Sequence, residues 1–376
     1  MRKGLLFVFV VLSAAVQAQT AAWYIQEADM ALAQRRYSAA ITGYTNAIRL
    51  SPSSAHAYIY RGIARHSQND LKGAMEDYDQ AIYADAKAYM AYQYRGMLKF
   101  DMKNYYSSIH DLDTALMLHP EDAQVLISRA RAKKEVHEYK SAMSDCDRAI
   151  TVNRDYGYAY YIRAEIEDRC LRPRLAQAAV RDCDTAISLL GESSYLLIMR
   201  GLARSDAEDY TGAIQDYEAV IAIDPGDVIA WIDRSDSRHH LRDYEGSIAD
   251  CRVAMSLDST EPLAYINTGN ALDSLGDHKG AIEYYERAIH FAERPAFAAE
   301  GYCSRGGSKL ALGHPQEALL DFDLAIKADP EWAEAYYARA LTNIKLKQNR
   351  GACGDLKKAL EYGKAEAEEM LQKYCK

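Results

Sequence analysis

Three segments of the chain, GAMEDYDQAI (73–82), TGAIQDYEAVI (211–221) and KGAIEYYERAI (279–289), are near copies of one another. Each has an alanine near its start, a tyrosine four positions later, and alanine or valine seven positions after the first alanine. Offsets of 0, 4 and 7 place side chains on one face of an α-helix. The three segments therefore predict one amphipathic helix that recurs along the chain.

The small residue that begins this helix recurs ten times, with seven spacings of 34 residues and two of 37. Another helix is predicted before each copy, because a small residue lies twelve positions earlier in nine copies, with an aromatic or large apolar residue four positions before it. Prolines fall between several copies, where proline ends a helix. The chain is thus predicted to be an array of two-helix units, whose second helices begin at Ala40, Ala74, Ser108, Ala142, Ala179, Ala213, Ser247, Ala281, Ala318 and Ala352.

This pattern resembles the tetratricopeptide repeat, a helix–turn–helix unit with a period of 34 residues. The resemblance implies an all-α, right-handed α-solenoid of about ten repeats that ends in a C-terminal capping helix, since an array needs a polar outer face at its end. We expect the extra residues of the longer spacings in the turn of repeat 5 and in the linker after repeat 8. Residues 367–376 are the end of the cap, and 19–366 contain repeats 1 to 10 at 21–54, 55–88, 89–122, 123–156, 157–193, 194–227, 228–261, 262–298, 299–332 and 333–366.

The composition narrows the classes of function. Charged residues make up 26% of the chain and hydrophobic residues 49%, which excludes a mostly disordered protein. The formal net charge of −9 argues against nucleic-acid binding, which needs a basic stripe. Tyrosine is abundant, at 29 against 6 phenylalanines, mainly because it recurs at the large positions of both helices. We interpret this tyrosine stripe as core.

Residues 1–18, MRKGLLFVFVVLSAAVQA, have the features of a cleaved secretory signal peptide. Two basic residues precede an apolar stretch that is too short to span a bilayer, and small residues precede Gln19. A membrane anchor is the alternative, but no stop-transfer pattern follows. The junction before Gln19 resembles signal peptides common in Bacteroidetes, which implies an exported, periplasmic protein. No other segment is apolar enough to span a membrane.

An arginine and an aspartate recur together. Arginine precedes the small residue of the first helix in eight repeats, and aspartate stands three positions after the start of the second helix in the same eight. Repeats 1 and 8 have neither residue, which indicates contact between the two positions. A guanidinium binds a carboxylate through two hydrogen bonds. We therefore predict a structural pair, as between Arg200 and Asp216, because a catalytic carboxylate would not be repeated eight times.

Motifs for catalysis are missing from the sequence: it has no Gly-rich phosphate loop, no Gly-x-Ser-x-Gly elbow and no HExxH. His239 and His240 form the only histidine pair, and adjacent residues on a helix diverge by about 100°, which disfavours binding of one metal ion by both. A solvated helix end is the simpler interpretation. We predict a protein that is not an enzyme and has neither metal nor cofactor.

Seven cysteines in an exported chain raise the question of disulfide bonds. Cys146, Cys183 and Cys251 occupy the large buried position of the second helix and are interpreted as small hydrophobic residues. The final second helix begins near Cys353, and a cap that runs back antiparallel to it brings Cys375 close. We predict a disulfide that closes a loop of about twenty residues. Two free thiols are the alternative.

The resemblance also implies a concave face, lined by the exposed positions of the first helices, where partners bind. These positions are apolar in the early repeats, with Ile59, Ile63 and Met97, and polar in repeats 7 and 8, with Asp233, Asp236, Asn267, Asn270 and Asp273. Asparagine both donates and accepts hydrogen bonds and so grips a peptide backbone, while aspartate attracts lysine or arginine. A solvated polar surface is the alternative for this polar ladder.

We expect a non-catalytic scaffold that binds a protein or an extended peptide in envelope assembly. The family's adaptors for chaperone tails use a clamp of basic residues and asparagine, which is not found here, because the matching positions hold Ile25, Asp29 and Tyr60. The alternatives are a small-molecule or glycan-binding protein and an enzyme subunit with an unrecognised site. No membrane span and no nucleic-acid partner are expected, and the oligomeric state is left open.

Overall fold

The computed structural model describes residues 20–170 and 175–375, without the side chains of 168–170 and 349–350. These residues form 21 α-helices and no strand, which confirms the all-α fold class. The predicted signal peptide, residues 1–18, lies outside the described residues. Within the described ranges, no helix combines the length and the apolar character that a membrane span requires.

Twenty of the helices form ten consecutive pairs, and one more helix, Glu366–Tyr374, follows them. The first helices span Ala21–Ala33, Ala55–Ser67, Tyr89–Asp101, Ala123–Glu135, Gly157–Cys170, Ser194–Asp206, Val228–His240, Pro262–Ser274, Pro295–Ala311 and Ala333–Lys345. The second helices span Tyr37–Leu50, Leu71–Ala84, Tyr105–Leu118, Tyr139–Val152, Ala176–Leu190, Tyr210–Ile223, Tyr244–Leu257, His278–Phe291, Pro315–Ala328 and Asn349–Glu361.

The chain folds into two compact units. One contains the residues up to Leu171 together with Ser188–Leu190, and the other contains Arg172–Ile187 and everything from Gly191 onward. In the first unit a large buried cluster joins the third, fourth and fifth pairs. In the second unit, smaller clusters join successive pairs. In each unit, a pair buries its apolar face against the next pair, as in repeat proteins generally.

A small residue in the first helix faces a larger one in the second, and their sizes are matched. A Cβ atom at Gly62 would lie 2.6 Å from the ring of Tyr78, so only glycine leaves room for that ring. Where the first helix has Ala130 instead, the facing position holds the smaller Cys146, and both are fully buried. Close packing of this kind tolerates little change in volume. It explains why tyrosine faces glycine in repeats 2, 6 and 8, whereas the smaller Cys146 faces Ala130 in repeat 4.

The prediction of a longer linker after repeat 8 is wrong. Only residues 292–294 separate the two helices, and the next helix, Pro295–Ala311, has 17 residues. First helices elsewhere have mostly 13, as in Pro262–Ser274. Proline fits the first turn of a helix, where its missing N–H is not needed, so the helix begins at Pro295 and takes up the extra residues. In repeat 5, residues 171–174 of the predicted turn lie outside the described residues.

The last helix, Glu366–Tyr374, covers the final pair. Ala367 is fully buried, and Met370 and Leu371 pack against the cluster around Leu356. Its first turn contains three glutamates, which favourably face the positive end of the helix dipole. The helix thus has one apolar side on the array and one charged side away from it, as a cap requires.

Candidate functional site

The predicted arginine and aspartate lie in contact in seven repeats. In repeat 6, Arg200 Nε and Nη2 donate to Asp216, with an Nη2–Oδ1 distance of 2.6 Å. Asp216 is only 2% exposed, so this is a buried, charge-assisted contact. The pair of Arg163 and Asp182 stays a prediction. The other six pairs are Arg61–Asp77, Arg95–Asp111, Arg129–Asp145, Arg234–Asp250, Arg305–Asp321 and Arg339–Asp355.

The arginine also reaches the preceding repeat, which the sequence analysis missed. Arg200 Nη1 donates to Asp184 at 2.8 Å, while Arg204 Nη1 donates to the second oxygen of Asp216 at the same distance. An acid two positions after the buried aspartate, as in the pattern Asp-x-Asp, marks this contact in the sequence. A cation four residues after the arginine also contacts the buried aspartate in repeats 2, 3, 4, 7 and 9. These contacts account for most of the periodic charges without a catalytic role.

The apolar residues predicted to meet a partner lie on the first helices of repeats 2 and 3. Ile63 and Met97 are half-buried. Ile59 is only 5% exposed and packs against Ala81 and Ala91. The prediction that Ile59 contacts a partner is therefore wrong, because this position faces the second helix of its own repeat and the first helix of the next.

Four half-buried side chains, Ile63, Tyr94, Met97 and Phe100, form what we call the apolar groove. Ile63 and Tyr94 pack together over the buried Leu98. Met97 and Phe100 border a small pocket between the first helices of repeats 3 and 4. The rest of the pocket is lined by Asp101, Ser108, Leu112, Ser128 and Arg131.

Arg131 is the only cation that lines this pocket. Its guanidinium carbon lies 4.5 Å from the centre of the Phe100 ring, which is within the range of cation–π contact. In the described parts of the chain, Arg131 has neither an ion pair nor a hydrogen bond. The carboxylate of Asp101, by contrast, is engaged by His66 Nε2 at 3.0 Å. The pocket therefore joins an apolar wall to one cation whose N–H groups are not used.

Two buried hydroxyl groups of this region have no hydrogen-bond partner among the described residues. Ser108 Oγ lines the pocket, and Tyr78 OH belongs to the cluster below Ile63; both residues are fully buried. A buried hydroxyl without a partner costs about 1–3 kcal/mol. In repeat 1 the equivalent tyrosine, Tyr44, donates to Asp29 at 2.6 Å. Repeats 2 and 3 thus retain unsatisfied polar groups beside apolar surface.

The asparagines of the polar ladder hydrogen-bond within the protein. Asn267 Nδ2 donates to Ser235 Oγ at 3.0 Å, in the first helix of the preceding repeat. Asn270 Oδ1 accepts from the Tyr285 hydroxyl at 2.8 Å. These bonds use part of the capacity that the sequence analysis assigned to a peptide backbone.

The aspartates of the ladder differ in exposure. Asp273 accepts from the Tyr285 and Ser308 hydroxyls at 3.1 and 2.6 Å, and its other oxygen lies 2.8 Å from His278 Nδ1. Burial and the neighbouring Asp273 raise the pKa of Tyr285, which therefore stays a donor. Asp233 is half-buried, whereas Asp236 is exposed, with His240 Nε2 at 3.8 Å. Asp236 is thus the ladder carboxylate that is open to solvent.

Cys353 and Cys375 form a disulfide bond, with their Cα atoms 5.7 Å apart. The cap brings Cys375 back to the start of the last second helix. Cys146, Cys183 and Cys251 are buried, and burial raises the pKa of Cys251 to about 11. Such a thiol stays protonated and unreactive at neutral pH.

The two adjacent histidines contact different neighbours. His239 Nε2 lies 3.0 Å from Ser274 Oγ, and the His240 ring stacks on Tyr210 with 4.5 Å between ring centres. Across the described residues, no group of three or more histidine, cysteine, aspartate or glutamate side chains is arranged to hold a metal ion.

Sequence comparison identifies one kind of repeat in the chain. Family models of the tetratricopeptide repeat match residues 25–89, 198–262 and 263–293. Comparison with curated protein sequences gives no match. The matched segments lie in both units. The helix pairs within them have the same form as the pairs in the other described parts of the chain.

Several solved structures have a similar fold. Yeast Tom70 has 13% sequence identity and a TM-score of 0.57, over 94% of this chain and 87% of Tom70. PilF of Pseudomonas aeruginosa has 18% identity and a TM-score of 0.52, over 58% of this chain and 96% of PilF. A tetratricopeptide repeat protein from Parabacteroides merdae has 18% identity and a TM-score of 0.45, over 77% of this chain and 98% of its own. At these identities, the likeness to the first two concerns the fold alone.

Proposed function

Because the chain is an all-α solenoid of tetratricopeptide repeats, we propose that it is a non-catalytic scaffold that binds a protein or an extended peptide. The fold alone does not establish this function, since one fold hosts many functions. The proposal depends on the side chains that the repeats present on their first helices.

The observation that carries the proposal is the apolar groove. Ile63, Tyr94, Met97 and Phe100 are half-buried on two successive first helices and lie beside the unsatisfied hydroxyls of Tyr78 and Ser108. Contiguous apolar surface that stays partly exposed is typical of a contact that a partner completes. A peptide laid in the groove would bury the apolar side chains.

The polar ladder is the weaker part of the proposed surface. Asp236 is exposed and attracts a basic residue of the partner. Asn267 uses its Nδ2 for Ser235 and Asn270 uses its Oδ1 for Tyr285, so the other end of each amide can bond to the partner. We therefore place the main contact at the apolar groove and a salt-dependent one at the ladder.

Export to the periplasm and a role in the envelope are parts of the same proposal. Disulfide bonds persist in oxidising compartments, and the bond between Cys353 and Cys375 supports such a location. Cell fractionation and the N-terminal sequence of the purified protein test this. We expect a periplasmic protein that begins near Gln19, and a cytosolic chain with Met1 would contradict it.

Photo-crosslinking in the native host tests the binding surface. A photoreactive amino acid is placed at Ile63 in the groove, at Asp236 in the ladder, and at Met117, which is 82% exposed on a second helix, as the control. We expect Ile63 to capture one discrete protein, Asp236 to capture the same protein less efficiently, and Met117 to capture none. Capture from Met117 alone, or from none of the three positions, would overturn the proposal.

A further inference from the structure

We propose that a cleft at the edge of repeats 7, 8 and 9 binds a basic amphipathic helix of a partner protein. This edge lies where second helices end and the next first helices begin, so the contact is separate from the apolar groove and does not depend on it. The cleft has a volume of about 650 Å³, which is in the range of ligand-binding clefts. It is lined by the start of the first helix of repeat 7 and by the two links that join repeats 7, 8 and 9.

The extra residues before repeat 9 form one wall of this cleft. The first helix of repeat 9 begins at Pro295 and has 17 residues, about one turn more than the 13 of Pro262–Ser274. Phe297 lies on this added turn, is half-buried and lines the cleft. The guanidinium carbon of Arg294 lies 5.7 Å from the centre of the Phe297 ring. The insertion thus adds an aromatic side chain to the edge of the array.

A row of apolar side chains, which we call the edge row, follows this edge through repeats 6 to 9. Its members stand at the ends of second helices or in the first turns of first helices, and all are exposed or half-buried: Ile223, Ile229, Leu257, Leu263, Phe291 and Phe297. The Phe291 ring lies 5.5 Å from the ring of Tyr265, which keeps it in place. Contiguous apolar surface of this kind marks a site of contact.

Carboxylates surround the part of the edge row that forms the cleft. Asp258, Glu261 and Glu293 line it, against one arginine, Arg294, and one histidine, His290. Asp258 and Glu261 each use one oxygen for a backbone N–H group two residues later, and the Glu293 side chain has no bond to any described residue. This negative balance repels anionic lipid headgroups and a second copy of the same edge, whereas it attracts lysine and arginine.

The lining of the cleft favours a helix over an extended segment. An extended segment needs partners for its backbone N–H and C=O groups, which a strand or a row of amide side chains would provide. The described part of the chain contains no strand, and neither asparagine nor glutamine lines the cleft. A helix satisfies its own backbone and can place an apolar stripe on the edge row with basic residues beside it.

Fluorine NMR with designed peptides tests the site. Residues 19–376 contain four phenylalanines, so fluorinated phenylalanine gives two reporters in the cleft, Phe291 and Phe297, and two controls outside it, Phe100 and Phe322. The probes are a leucine–lysine amphipathic helix of about 14 residues, or four turns, and two counterparts, one with glutamate for lysine and one with serine for leucine. We expect the first peptide to shift both cleft resonances in a saturable way, and each counterpart to bind at least about tenfold more weakly. Equal shifts with the three peptides, no shift, or a shift of Phe100 alone would overturn the proposal.

A matched pair of charge variants separates this cleft from general attraction to an acidic protein. The first variant removes the charge of the cleft but keeps its acceptor oxygens: Asp258→Asn, Glu261→Gln and Glu293→Gln in one chain. The control removes three carboxylates from links between repeats of the other unit: Asp85→Asn, Glu121→Gln and Asp122→Asn. We expect the first variant to bind the leucine–lysine peptide about tenfold more weakly and with less salt dependence, and the control to differ from the wild type by less than about twofold. An equal loss in both variants would overturn the proposal.

Phe297→Ala tests the apolar wall without a change of charge. We expect it to weaken the leucine–lysine peptide about fivefold or more, with Phe291 as the reporter and circular dichroism as the check on folding. Val152→Ala, at the exposed end of a second helix in the other unit, is the control and should leave the affinity unchanged. Wild-type affinity of a folded Phe297→Ala chain would show that charge alone holds the peptide, which contradicts a cleft built for a helix.

Discussion

The apolar groove of repeats 2 and 3 and the polar ladder of repeats 7 and 8 occupy comparable positions on the first helices, yet their polar atoms differ in what they bond to. At the ladder, the amides and carboxylates of Asn267, Asn270 and Asp273 hydrogen-bond to serines, a tyrosine and a histidine of the protein. Beside the groove, the hydroxyls of Tyr78 and Ser108 have no such partner among the described residues, and the same holds for the Ser247 hydroxyl of repeat 7. The residue types alone point to the ladder as the binding site, whereas the half-buried apolar side chains point to the groove.

This difference teaches that a row of polar side chains is not by itself a recognition surface. Groups that already satisfy one another gain little from a ligand, because binding must first break their existing hydrogen bonds. Apolar side chains that stay partly exposed gain more, because a partner removes their surface from water. Stability and binding measurements on matched variants distinguish a structural ladder from a binding one and test how rigidly the groove region is held.

The largest effect is expected at the buried ion pairs, which repeats 2, 3 and 4 contain and repeat 8 does not. Asp111→Ala under the groove should lower the free energy of unfolding by about 3–5 kcal/mol, because Arg95 and Lys99 lose the buried carboxylate that they share. A double-mutant cycle with Arg95→Ala, followed by urea unfolding, should show strong non-additivity, as should the cycle at Arg200 and Asp216. Additive costs at both pairs would show that the contacts do not stabilise the repeats.

The same cycle in repeat 8 is the matched control. Its equivalent positions hold Thr268 and Tyr284, which carry no charge. We expect the costs of Thr268→Ala and Tyr284→Ala to add within about 0.5 kcal/mol. Strong coupling there would mean that proximity of the two helices, and not charge, produces the non-additivity.

The next effect separates structure from binding within the ladder. Asp273→Ala should lower the free energy of unfolding by about 2–3 kcal/mol, because the Tyr285 hydroxyl loses one acceptor and the Ser308 hydroxyl another. Asp236→Ala, at an exposed carboxylate, should change it by less than about 0.5 kcal/mol. Once the partner is captured, Asp236→Ala should weaken its binding more than Asp273→Ala does. A partner that is lost with Asp273→Ala but bound normally by Asp236→Ala would move the main contact to the ladder.

A smaller effect tests the floor of the groove. Gly62→Ala places a Cβ atom 2.6 Å from the Tyr78 ring and should destabilise the protein by about 1–3 kcal/mol. Gly307→Ala is the control, because a Cβ atom there meets nothing within 4 Å. Its helical backbone favours alanine, so it should stabilise the protein by about 0.5–1 kcal/mol. Thermal unfolding curves that shift in the same direction would contradict the size matching of the two helices.

The smallest effect depends on pH. Burial, with the nearby carboxylates of Asp236 and Glu334, raises the pKa of Glu300. Because the ionised form is disfavoured in the folded chain, stability falls as pH rises through this elevated pKa. Glu300→Gln should therefore raise the free energy of unfolding at pH 7, with no gain near pH 4. A gain of the same size at both pH values would show that the charge of Glu300 is not the cause.

The fold could be predicted from the sequence because its causes are periodic. The small and large positions recur every 34 residues, and each recurrence constrains the same helix pair. The longer helix from Pro295 could not be placed in this way, since an insertion at a repeat boundary leaves the period equally well explained by a linker or by a helical turn.

The candidate site was only partly predictable, because the hydrogen-bond partners of a polar side chain are often residues that are distant in the sequence. The sequence marks Met97 as a candidate, but it does not show that Arg131 stacks on Phe100 while Arg129 is fully paired. Nor does it show that Ile59 turns into the core. The acid that contacts the arginine of the following repeat could have been predicted from the sequence, because it follows the buried aspartate by two positions in most repeats.

The contact between these arginines and the preceding repeat also affects the order in which the repeats unfold. Arg95, Arg129 and Arg163 each join one helix pair to the one before it, so neighbouring repeats in this stretch should open together as one block. Repeat 8 has Thr268 where the arginine would be, and repeat 7 has Arg252 where its acid would be. Repeats 7 and 8 therefore cannot form this arginine–acid contact with each other. In a stack where stability is a sum of nearest-neighbour terms, opening that spreads from either side would pause there. Amide hydrogen exchange would record such a pause as a step in protection between the two repeats.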